Sequence, residues 1–265
     1  MLLDGPKKQE QMEHLKRIIR DLGKAGIPVL GYNFSIAGVW GRMHGNAARG
    51  GAVSVGFHAP DQPPIPNGMV WNMVYDPSGF DPDGRHGTVG TVTQEQLWSR
   101  MTWFLQELLP VAEESNVRLA LHPDDPPVPE LRGAARLVYQ PNMYPRVMNI
   151  KQSRSNAIEL CLGTVAEMSE GDIYQLVDEQ SRQGNIAYIH FRNVKGKVPH
   201  YDEVFIDEGD VDMIRLLRIL HKNAYDGVLI PDHTPSMSCE APWHAGMAFA
   251  LGYMRAALQI IESGS

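Results

Sequence analysis

The chain has 265 residues, of which 43% are hydrophobic and 21% charged, a composition typical of a globular protein with a full core. The formal net charge of −7 and the lack of a basic tract argue against nucleic acid or an anionic membrane as a partner. Two cysteines offer no disulfide framework, the N-terminus has no signal-peptide pattern, and no apolar run is long enough to span a membrane. We therefore expect a cytoplasmic protein.

The first third of the chain begins with a helix and a strand. Residues 7–25 keep one apolar face, which predicts an amphipathic helix built on Met12, Leu15, Ile18, Ile19 and Leu22. Residues 27–33 follow as a strand. The next stretch, at about 35–92, is rich in Gly and Pro, and apolar residues alternate with small ones over 53–57. We expect a long insertion that combines a loop and a hairpin.

From Thr93 onward, helical patterns alternate with short apolar runs. Helices are predicted at about 93–115, 141–152, 171–183, 210–222 and 242–262. A Thr93–Gln96 capping box opens the first of them, and Asp210 is the expected N-cap of the fourth. Strands are predicted at 117–122, 157–162, 186–191 and 227–232, and a loop that carries Lys195 and His200 follows the third.

This alternation predicts an α/β fold with a parallel sheet and helices outside it. Together with residues 27–33 the pattern gives five parallel strands, whereas a closed (β/α)8 TIM barrel needs eight. Two architectures therefore stay open, an open five-stranded sheet or a TIM-barrel-like fold without its first three strands. In both, residues 1–265 form a single domain.

Four residues with good metal-binding side chains end four of these strands, namely His122, Cys161, His190 and Asp232. Because strand side chains alternate between faces, each of the four is the last member of one face, while the opposite face is apolar. Parallel strands in α/β barrels present their carboxyl ends at one rim, where the catalytic groups lie. Each residue alone has a structural explanation, but the conjunction predicts a metal site. The thiolate favours Zn²⁺, whereas the carboxylate tolerates Mn²⁺, Fe²⁺ or Co²⁺.

Two further rim residues have two interpretations each. His233 follows the last candidate ligand and could act as a general acid or base, or support Asp232 by a hydrogen bond. Arg192 lies two residues after His190 and could bind a substrate carboxylate through two parallel hydrogen bonds, or be a surface charge.

Other polar residues are candidates for substrate binding or for structure. Asn33, Arg42 and Asp124 are expected near the rim and are taken as substrate-binding residues, although Asp124 could also orient His122 or shape a turn between prolines. Arg118 and Glu159 share the face of the candidate ligands lower on their strands. Since buried charges must be paired, we predict that these two side chains contact each other.

Six segments of the chain resemble the mannonate dehydratase family. They are Gly31-Tyr-Asn-Phe34, Leu119-Ala-Leu-His-Pro-Asp-Asp-Pro-Pro127, Cys161 with Gly163-Thr164, His190-Phe-Arg-Asn193, Glu208-Gly-Asp-Val-Asp-Met213 and Pro231-Asp-His233. The resemblance implies a TIM barrel of the xylose-isomerase-like group and a Mn²⁺-dependent lyase that converts D-mannonate into 2-keto-3-deoxy-D-gluconate. It also implies that the same four residues bind the metal and that His233 is the acid/base residue.

The sequence departs from this family's pattern in two respects. Family members have a longer N-terminal region that holds three further strands, so the five strands here would correspond to strands four to eight. The family also has an Arg where this chain has Ile230, and a catalytic Tyr in the region that here reads Ala241-Pro-Trp-His244. We assign the role of that Tyr to His244.

The expected function is therefore that of a metal-dependent sugar-acid dehydratase of hexuronate catabolism, with His233, His244 and Arg192 as catalytic residues. The absence of the family's Arg and Tyr leaves room for a sugar isomerase or epimerase on the same barrel. The shorter N-terminus leaves room for a homologue that binds metal or a sugar acid without turnover. As partners we expect a small anionic sugar acid and a second copy of the chain in a dimer.

Overall fold

The computed structural model describes residues 2, 5–71, 73–74 and 87–264. Residues 72 and 75–86, which belong to the predicted insertion at 35–92, lie outside the described residues. The chain divides into two compact units. The first unit comprises Met1–Trp40 and Asp61–Ile158, and the second comprises Gly41–Pro60 and Glu159–Ser265.

The described strands are β1 (Val29–Tyr32), β2 (Met43–Ala48), β3 (Ala52–His58), β4 (Met69–Val70), β5 (Met73–Val74), β6 (Arg118–Leu121), β7 (Glu130–Leu131), β8 (Ala134–Ala135), β9 (Asn156–Cys161), β10 (Ile186–His190), β11 (Asn193–Lys197), β12 (His200–Val204) and β13 (Val228–Ile230). The α-helices are α1 (Lys8–Lys24), α2 (Gln94–Glu114), α3 (Tyr144–Met148), α4 (Leu162–Glu167), α5 (Ile173–Arg182), α6 (Met213–Lys222) and α7 (Pro242–Glu262). Short 3-10 helices span Arg49–Gly51 and Pro141–Met143.

Five parallel strands are hydrogen-bonded in the order β1-β6-β9-β10-β13. Each lies within two residues of its predicted bounds, so the prediction of five parallel strands is confirmed. In the first unit Leu121 pairs with Ile158, and in the second His190 pairs with Ile230. All six residues of β9 are buried, as expected for a parallel strand that is covered on both faces.

Most of the helices also follow the prediction, because their start signals are strong. Thr93 accepts a hydrogen bond from the backbone N–H of Gln96 at 3.3 Å, and the Gln96 side chain accepts one from the backbone N–H of Thr93 at 3.0 Å. The predicted capping box of α2 is therefore confirmed. In the part of the chain that the structure describes, no helix is both long and apolar enough to cross a membrane.

The predicted N-cap of α6 is wrong by two residues. Asp212, not Asp210, precedes the helix, and its carboxylate accepts from the backbone N–H of Arg215 at 2.9 Å. Asp210 instead accepts from the backbone N–H of Gly196 in β11 at 2.8 Å. Both aspartates precede the same apolar run, so spacing alone did not separate the cap from a tertiary contact.

The second unit also has an antiparallel sheet, whose β11–β12 half was not predicted. Its strands are ordered β11-β12-β3-β2, and the segment that was predicted as a loop after β10 forms its β11–β12 hairpin. Charged residues such as Lys195 concealed the alternation, but Val194 and Tyr201 are buried on one face of the hairpin. This sheet brings residues of β12 beside the rim of the parallel strands β10 and β13 of its own unit.

Two short helices also differ from the prediction. The helix expected at 141–152 is reduced to a 3-10 turn and the five residues of α3. The six-residue α4 follows Cys161 directly and was not predicted, since a single buried turn has no amphipathic period to detect. Its residues Gly163, Thr164 and Glu167 become important at the candidate site.

Candidate active site

In the first unit, His122 directly follows β6, where its backbone N–H donates to the carbonyl of Tyr32 at 2.9 Å. Its ring Nδ1 lies 2.6 Å from the carbonyl oxygen of Pro123. A carbonyl can only accept, so Nδ1 carries the proton and Nε2 has the lone pair that a metal ligand needs.

Asp124 is buried, and its carboxylate is engaged by the protein. Oδ2 accepts from the backbone N–H groups of Leu137 at 2.7 Å and Val138 at 2.8 Å, and Oδ1 lies 3.3 Å from Nε of Arg136. These contacts favour the turn-shaping interpretation of Asp124. Asn33 accepts a hydrogen bond from the indole N–H of Trp71 at 3.0 Å.

The predicted contact between Arg118 of the first unit and Glu159 of the second unit stays a prediction. Within its own unit, each side chain has another partner. Arg118 donates from Nε to the carbonyl of Arg154 at 3.1 Å. The Glu159 carboxylate lies 3.1 Å from Nε2 of His190 instead. The first unit thus uses Arg118 at a turn, and the second unit uses Glu159 beside a candidate ligand.

In the second unit, three of the four predicted ligands converge. Cys161 and His190 are the last residues of β9 and β10, and Asp232 follows β13 after one proline. Cys161 Sγ lies 4.0 Å from Asp232 Oδ2, and His190 Nδ1 lies 3.5 Å from Asp232 Oδ1. Asp232 has φ +53°, a left-handed conformation that Asp adopts more readily than most residues. A thiol, an imidazole and a carboxylate therefore meet at one point.

The surroundings of His190 favour positive charge. Burial lowers the pKa of His190, but its hydrogen bond with Cys161 and the charges of Cys161, Asp232 and Glu159 outweigh burial, so that the pKa is raised. Tyr188 is affected by the same carboxylates, since burial and then its hydrogen bond to Glu159 raise the pKa of its phenol. A site that stabilises a cation in this way is suited to a metal ion.

Arg192 lies beneath these ligands and is 3% exposed. Its Nε donates to Asp232 Oδ2 at 2.9 Å, Nη1 to Glu167 Oε1 at 2.7 Å, and Nη2 to Thr164 Oγ1 at 3.3 Å. A Cβ atom at Gly163 would lie 2.4 Å from Nη1, so the guanidinium fits against α4 only because residue 163 has no side chain. Arg192 is therefore not a surface charge.

His233, Glu203 and Arg42 form a second group next to Asp232. His233 Nδ1 lies 2.5 Å from Glu203 Oε2, and Glu203 Oε1 lies 3.5 Å from Arg42 Nη2. Burial alone would raise the pKa of Glu203. The opposite effect is larger and comes from the charge of Arg192, the hydrogen bond and charge of His233, and the charge of Arg42, so the pKa of Glu203 lies below its ordinary value. Glu203 is thus an ionised carboxylate among three cationic or protonatable groups.

His244 lies in the first turn of α7 and is exposed. Its ring packs edge-on against Trp243, with 5.3 Å between the ring centroids. This contact with a neighbouring ring does not bring His244 into the group around His233. Its catalytic role stays a prediction.

A sequence model of the family UxuA: D-mannonate dehydratase matches residues 1–260. The chain belongs to this family. Mannonate dehydratase of Lactococcus lactis subsp. cremoris is 30% identical over 250 residues, and the match covers 86% of this chain and 68% of that protein. The crystal structure of mannonate dehydratase from Streptococcus suis serotype 2 superposes with a TM-score of 0.80 at 26% identity, covering 98% of this chain and 73% of that one. Mannonate dehydratases are hydro-lyases, and the chain is accordingly an enzyme of the lyase class.

A more distant likeness concerns the fold alone. A xylose isomerase-like TIM barrel protein from Mycobacterium smegmatis superposes with a TM-score of 0.55 at 10% identity, over 97% of this chain and 70% of that one. The expected xylose-isomerase-like, TIM-barrel group is therefore confirmed for the fold, and its five parallel strands are described above. The finer prediction that they are strands four to eight of an incomplete barrel stays a prediction.

Three acidic residues of this candidate site were missed or misjudged in the sequence analysis. Glu203 lies on β12 and Glu167 on α4, two elements that were not predicted. Glu159 was noticed as an inward-facing residue, but its contact with His190 was not foreseen. Glu159 and Glu167 each lie in an otherwise apolar, buried segment, where an acidic residue requires a nearby cation. Glu203 lies in the polar run His200–Val204 and gave no such signal.

Proposed function

We propose that the protein is a metal-dependent sugar-acid dehydratase that converts D-mannonate into 2-keto-3-deoxy-D-gluconate and water. The observation that carries the proposal is the convergence of Cys161, His190 and Asp232 next to a histidine, His233, whose Nδ1 is held by a carboxylate. The substrate is inferred from the names of the relatives, and the group that can move a proton is the imidazole of His233.

The proposed ligands of a divalent metal are His122, Cys161, His190 and Asp232. Support comes from the second unit, where Cys161 Sγ lies 4.0 Å from Asp232 Oδ2. Asp232 adds a carboxylate oxygen 3.5 Å from the ring of His190. When bound, the ion would stabilise the negative charge that develops on the substrate as a proton leaves. The mixed donor set suits Mn²⁺ as well as Fe²⁺, Co²⁺ or Zn²⁺.

Both histidines of this set are oriented by protein groups. Nδ1 of His122 donates to the Pro123 carbonyl, and Nε2 of His190 lies 3.1 Å from the Glu159 carboxylate. Each contact occupies the nitrogen opposite to the proposed ligand atom, as is usual for histidines that bind metals. These contacts support the assignment of both rings as ligands.

We assign the removal of the proton at C2, next to the substrate carboxylate, to His233. Because its Nδ1 donates to Glu203, Nε2 has the lone pair that accepts the proton. His233 is 32% exposed in its side chain, so a substrate can reach the ring. The C3 hydroxyl then leaves as water after protonation, which we assign to His244. The enol that results becomes the 2-keto-3-deoxy acid.

The substrate carboxylate is best assigned to Arg42 rather than to Arg192. The side chain of Arg42 is 24% exposed and Nη1 lies 3.5 Å from Nε2 of His233, whereas the side chain of Arg192 is 2% exposed and bonded to Asp232 and Glu167. Arg192 would then act by positioning Asp232. Asn33 and Asp124, whose polar groups contact the protein, are weaker candidates for binding the substrate.

The test is an assay of metal-loaded protein with D-mannonate and a panel of other hexonates, in which formation of a 2-keto-3-deoxy acid is measured. We expect turnover of D-mannonate, and loss of turnover in the variant His233→Gln. Folded, metal-loaded protein that dehydrates no hexonate would overturn the proposal. Products of unchanged mass from keto-sugars would instead establish the isomerase or epimerase alternative, which Ile230 and His244 favour where the family has Arg and Tyr.

We further propose that the substrate is a small anionic sugar acid, that the protein forms a dimer, and that it is located in the cytoplasm. Neither Cys161 nor Cys239 forms a disulfide, which suits a reducing compartment. Light scattering of the purified protein at several concentrations measures the assembly directly.

A further inference from the structure

Glu203 is a buried carboxylate on β12, close to the proposed acid/base residue. Antiparallel pairing places it opposite Val194 of β11, and it is 4% exposed. We propose that Glu203 is a positioning residue that holds His233 with Nδ1 protonated and the Nε2 lone pair available to the substrate. This inference rests on the proposed role of His233 as the acid/base residue.

The hydrogen bond defines which nitrogen of His233 carries the proton. Glu203 Oε2 lies 2.5 Å from Nδ1, and an ionised carboxylate can only accept, so Nδ1 donates. Nε2 then has the lone pair, and it lies 3.5 Å from Arg42 Nη1 and 3.5 Å from Asp232 Oδ2. A neutral ring with its proton on Nε2 could not serve as a base at that atom.

The other oxygen of Glu203 explains why the carboxylate stays fixed and ionised. Oε1 lies 3.5 Å from Arg42 Nη2 and 3.5 Å from Arg192 Nη1. These two guanidinium groups compensate the buried charge, while Oε2 is directed to His233. One oxygen of Glu203 therefore faces the two guanidinium groups, and the other orients the ring of His233.

The same strand provides a matched control. Asp202 precedes Glu203 on β12, and its Oδ1 lies 2.9 Å from Nε2 of His58. The pair Asp202–His58 is a carboxylate–histidine contact on the opposite face of the strand, with side chains that are 30% and 42% exposed. Asp202→Asn removes a comparable contact without touching the proposed catalytic group.

The experiment compares Glu203→Ala, Glu203→Gln and Glu203→Asp with Asp202→Asn. For each metal-free protein at a pH where histidines are neutral, ¹⁵N shifts of His233 report the tautomer, with His233→Gln used for assignment. We expect the Nδ1–H form in the wild type and Asp202→Asn, and the Nε2–H form in Glu203→Ala. In metal-loaded protein, Glu203→Ala should lower kcat for D-mannonate by about 10²-fold or more, with KM and metal content unchanged. Glu203→Asp should recover part of this loss.

Two results would overturn the inference. One is an unchanged His233 tautomer in Glu203→Ala, and the other is a fall in kcat that follows a loss of metal in proportion. If Glu203→Ala does not fold, Glu203→Gln serves, because its neutral amide keeps the volume and weakens the bond to Nδ1. A wild type that dehydrates no hexonate would refute the proposed function, and the tautomer measurement would still decide the role of Glu203.

Discussion

Arg192 donates from Nε to Oδ2 of Asp232 at 2.9 Å, so a buried guanidinium holds one oxygen of a proposed metal ligand. The other oxygen, Oδ1, lies 3.5 Å from His190. Nη1 of the same guanidinium meets Glu167, whose side chain is 0% exposed, at 2.7 Å. The contacts of Arg192 thus connect α4 to the residue that follows β13.

Replacing Arg192 should therefore cost stability as well as activity. Arg192→Met leaves the buried carboxylate of Glu167 and the partly exposed one of Asp232 without their cation, and we expect a loss of about 3–5 kcal/mol in the free energy of unfolding. Urea denaturation measures it. Arg182→Met is the matched control, because Arg182 is 63% exposed and pairs with Asp178 at 3.4 Å. That variant should lose no more than about 1 kcal/mol. Equal losses in the two variants would refute the role given to Arg192.

A second prediction concerns the close approach of Arg192 to α4. In Gly163→Ala the new Cβ would lie 2.4 Å from Arg192 Nη1, which is too close for atoms that are not bonded. We expect this overpacking to lower the free energy of unfolding by about 1–3 kcal/mol. Gly252→Ala in α7 is the control, since a Cβ there meets nothing within 4 Å. Because Ala is a better helix former than Gly, that variant should gain about 0.5–1 kcal/mol. Thermal unfolding of both variants distinguishes them by the sign of the change in Tm.

The strand ends were predictable from sequence because parallel strands give a simple pattern. Arg118–Leu121 and Ile186–His190 are short, mostly apolar runs, and a histidine, His122 or His190, ends one face of each. The period of two along a strand was enough to group Cys161, His190 and Asp232. The phasing therefore predicted the site even though its residues are far apart in sequence.

The supporting groups were not predictable in the same way. Glu203 lies in a hairpin whose exposed Lys195 and Lys197 hide its strand pattern, and Glu167 lies in a helix of six residues. Arg192 was expected to face the substrate because its position on the strand face was known, but its burial was not. Burial depends on α4 and on the absence of a side chain at Gly163, which are tertiary features.

Arg42 and Arg192 should differ in steady-state kinetics. If Arg42 binds the substrate carboxylate, Arg42→Gln should raise KM for D-mannonate by about 10-fold or more. Its loss of stability should be smaller than that of Arg192→Met, because Arg192 still compensates the charge of Glu203. Arg42→Lys keeps the charge but cannot form two parallel hydrogen bonds, so its KM should lie between those of the wild type and Arg42→Gln. A normal KM in Arg42→Gln would move the carboxylate site elsewhere.

Glu203 should also contribute to the pH dependence of stability. Its pKa in the folded protein lies below the ordinary value of 4.5, since Arg192, His233 and Arg42 outweigh the effect of burial. It therefore stabilises the folded state above about pH 4.5, and this contribution is lost as the pH falls through the folded pKa. As the pH falls from about 5 to about 3, metal-free wild type should lose more free energy of unfolding than Glu203→Gln. Parallel curves for the two proteins would contradict this assignment.

The central claim is that the four residues His122, Cys161, His190 and Asp232 hold the metal on which dehydration depends. The most direct test removes metal with a chelator, adds Mn²⁺ back in steps, and measures bound metal and 2-keto-3-deoxy acid from D-mannonate in the same samples. Cys161→Ala serves as the comparison. We predict no product without metal, product in proportion to bound metal in the wild type, and little of either in Cys161→Ala. Undiminished turnover by the metal-free wild type would contradict the account.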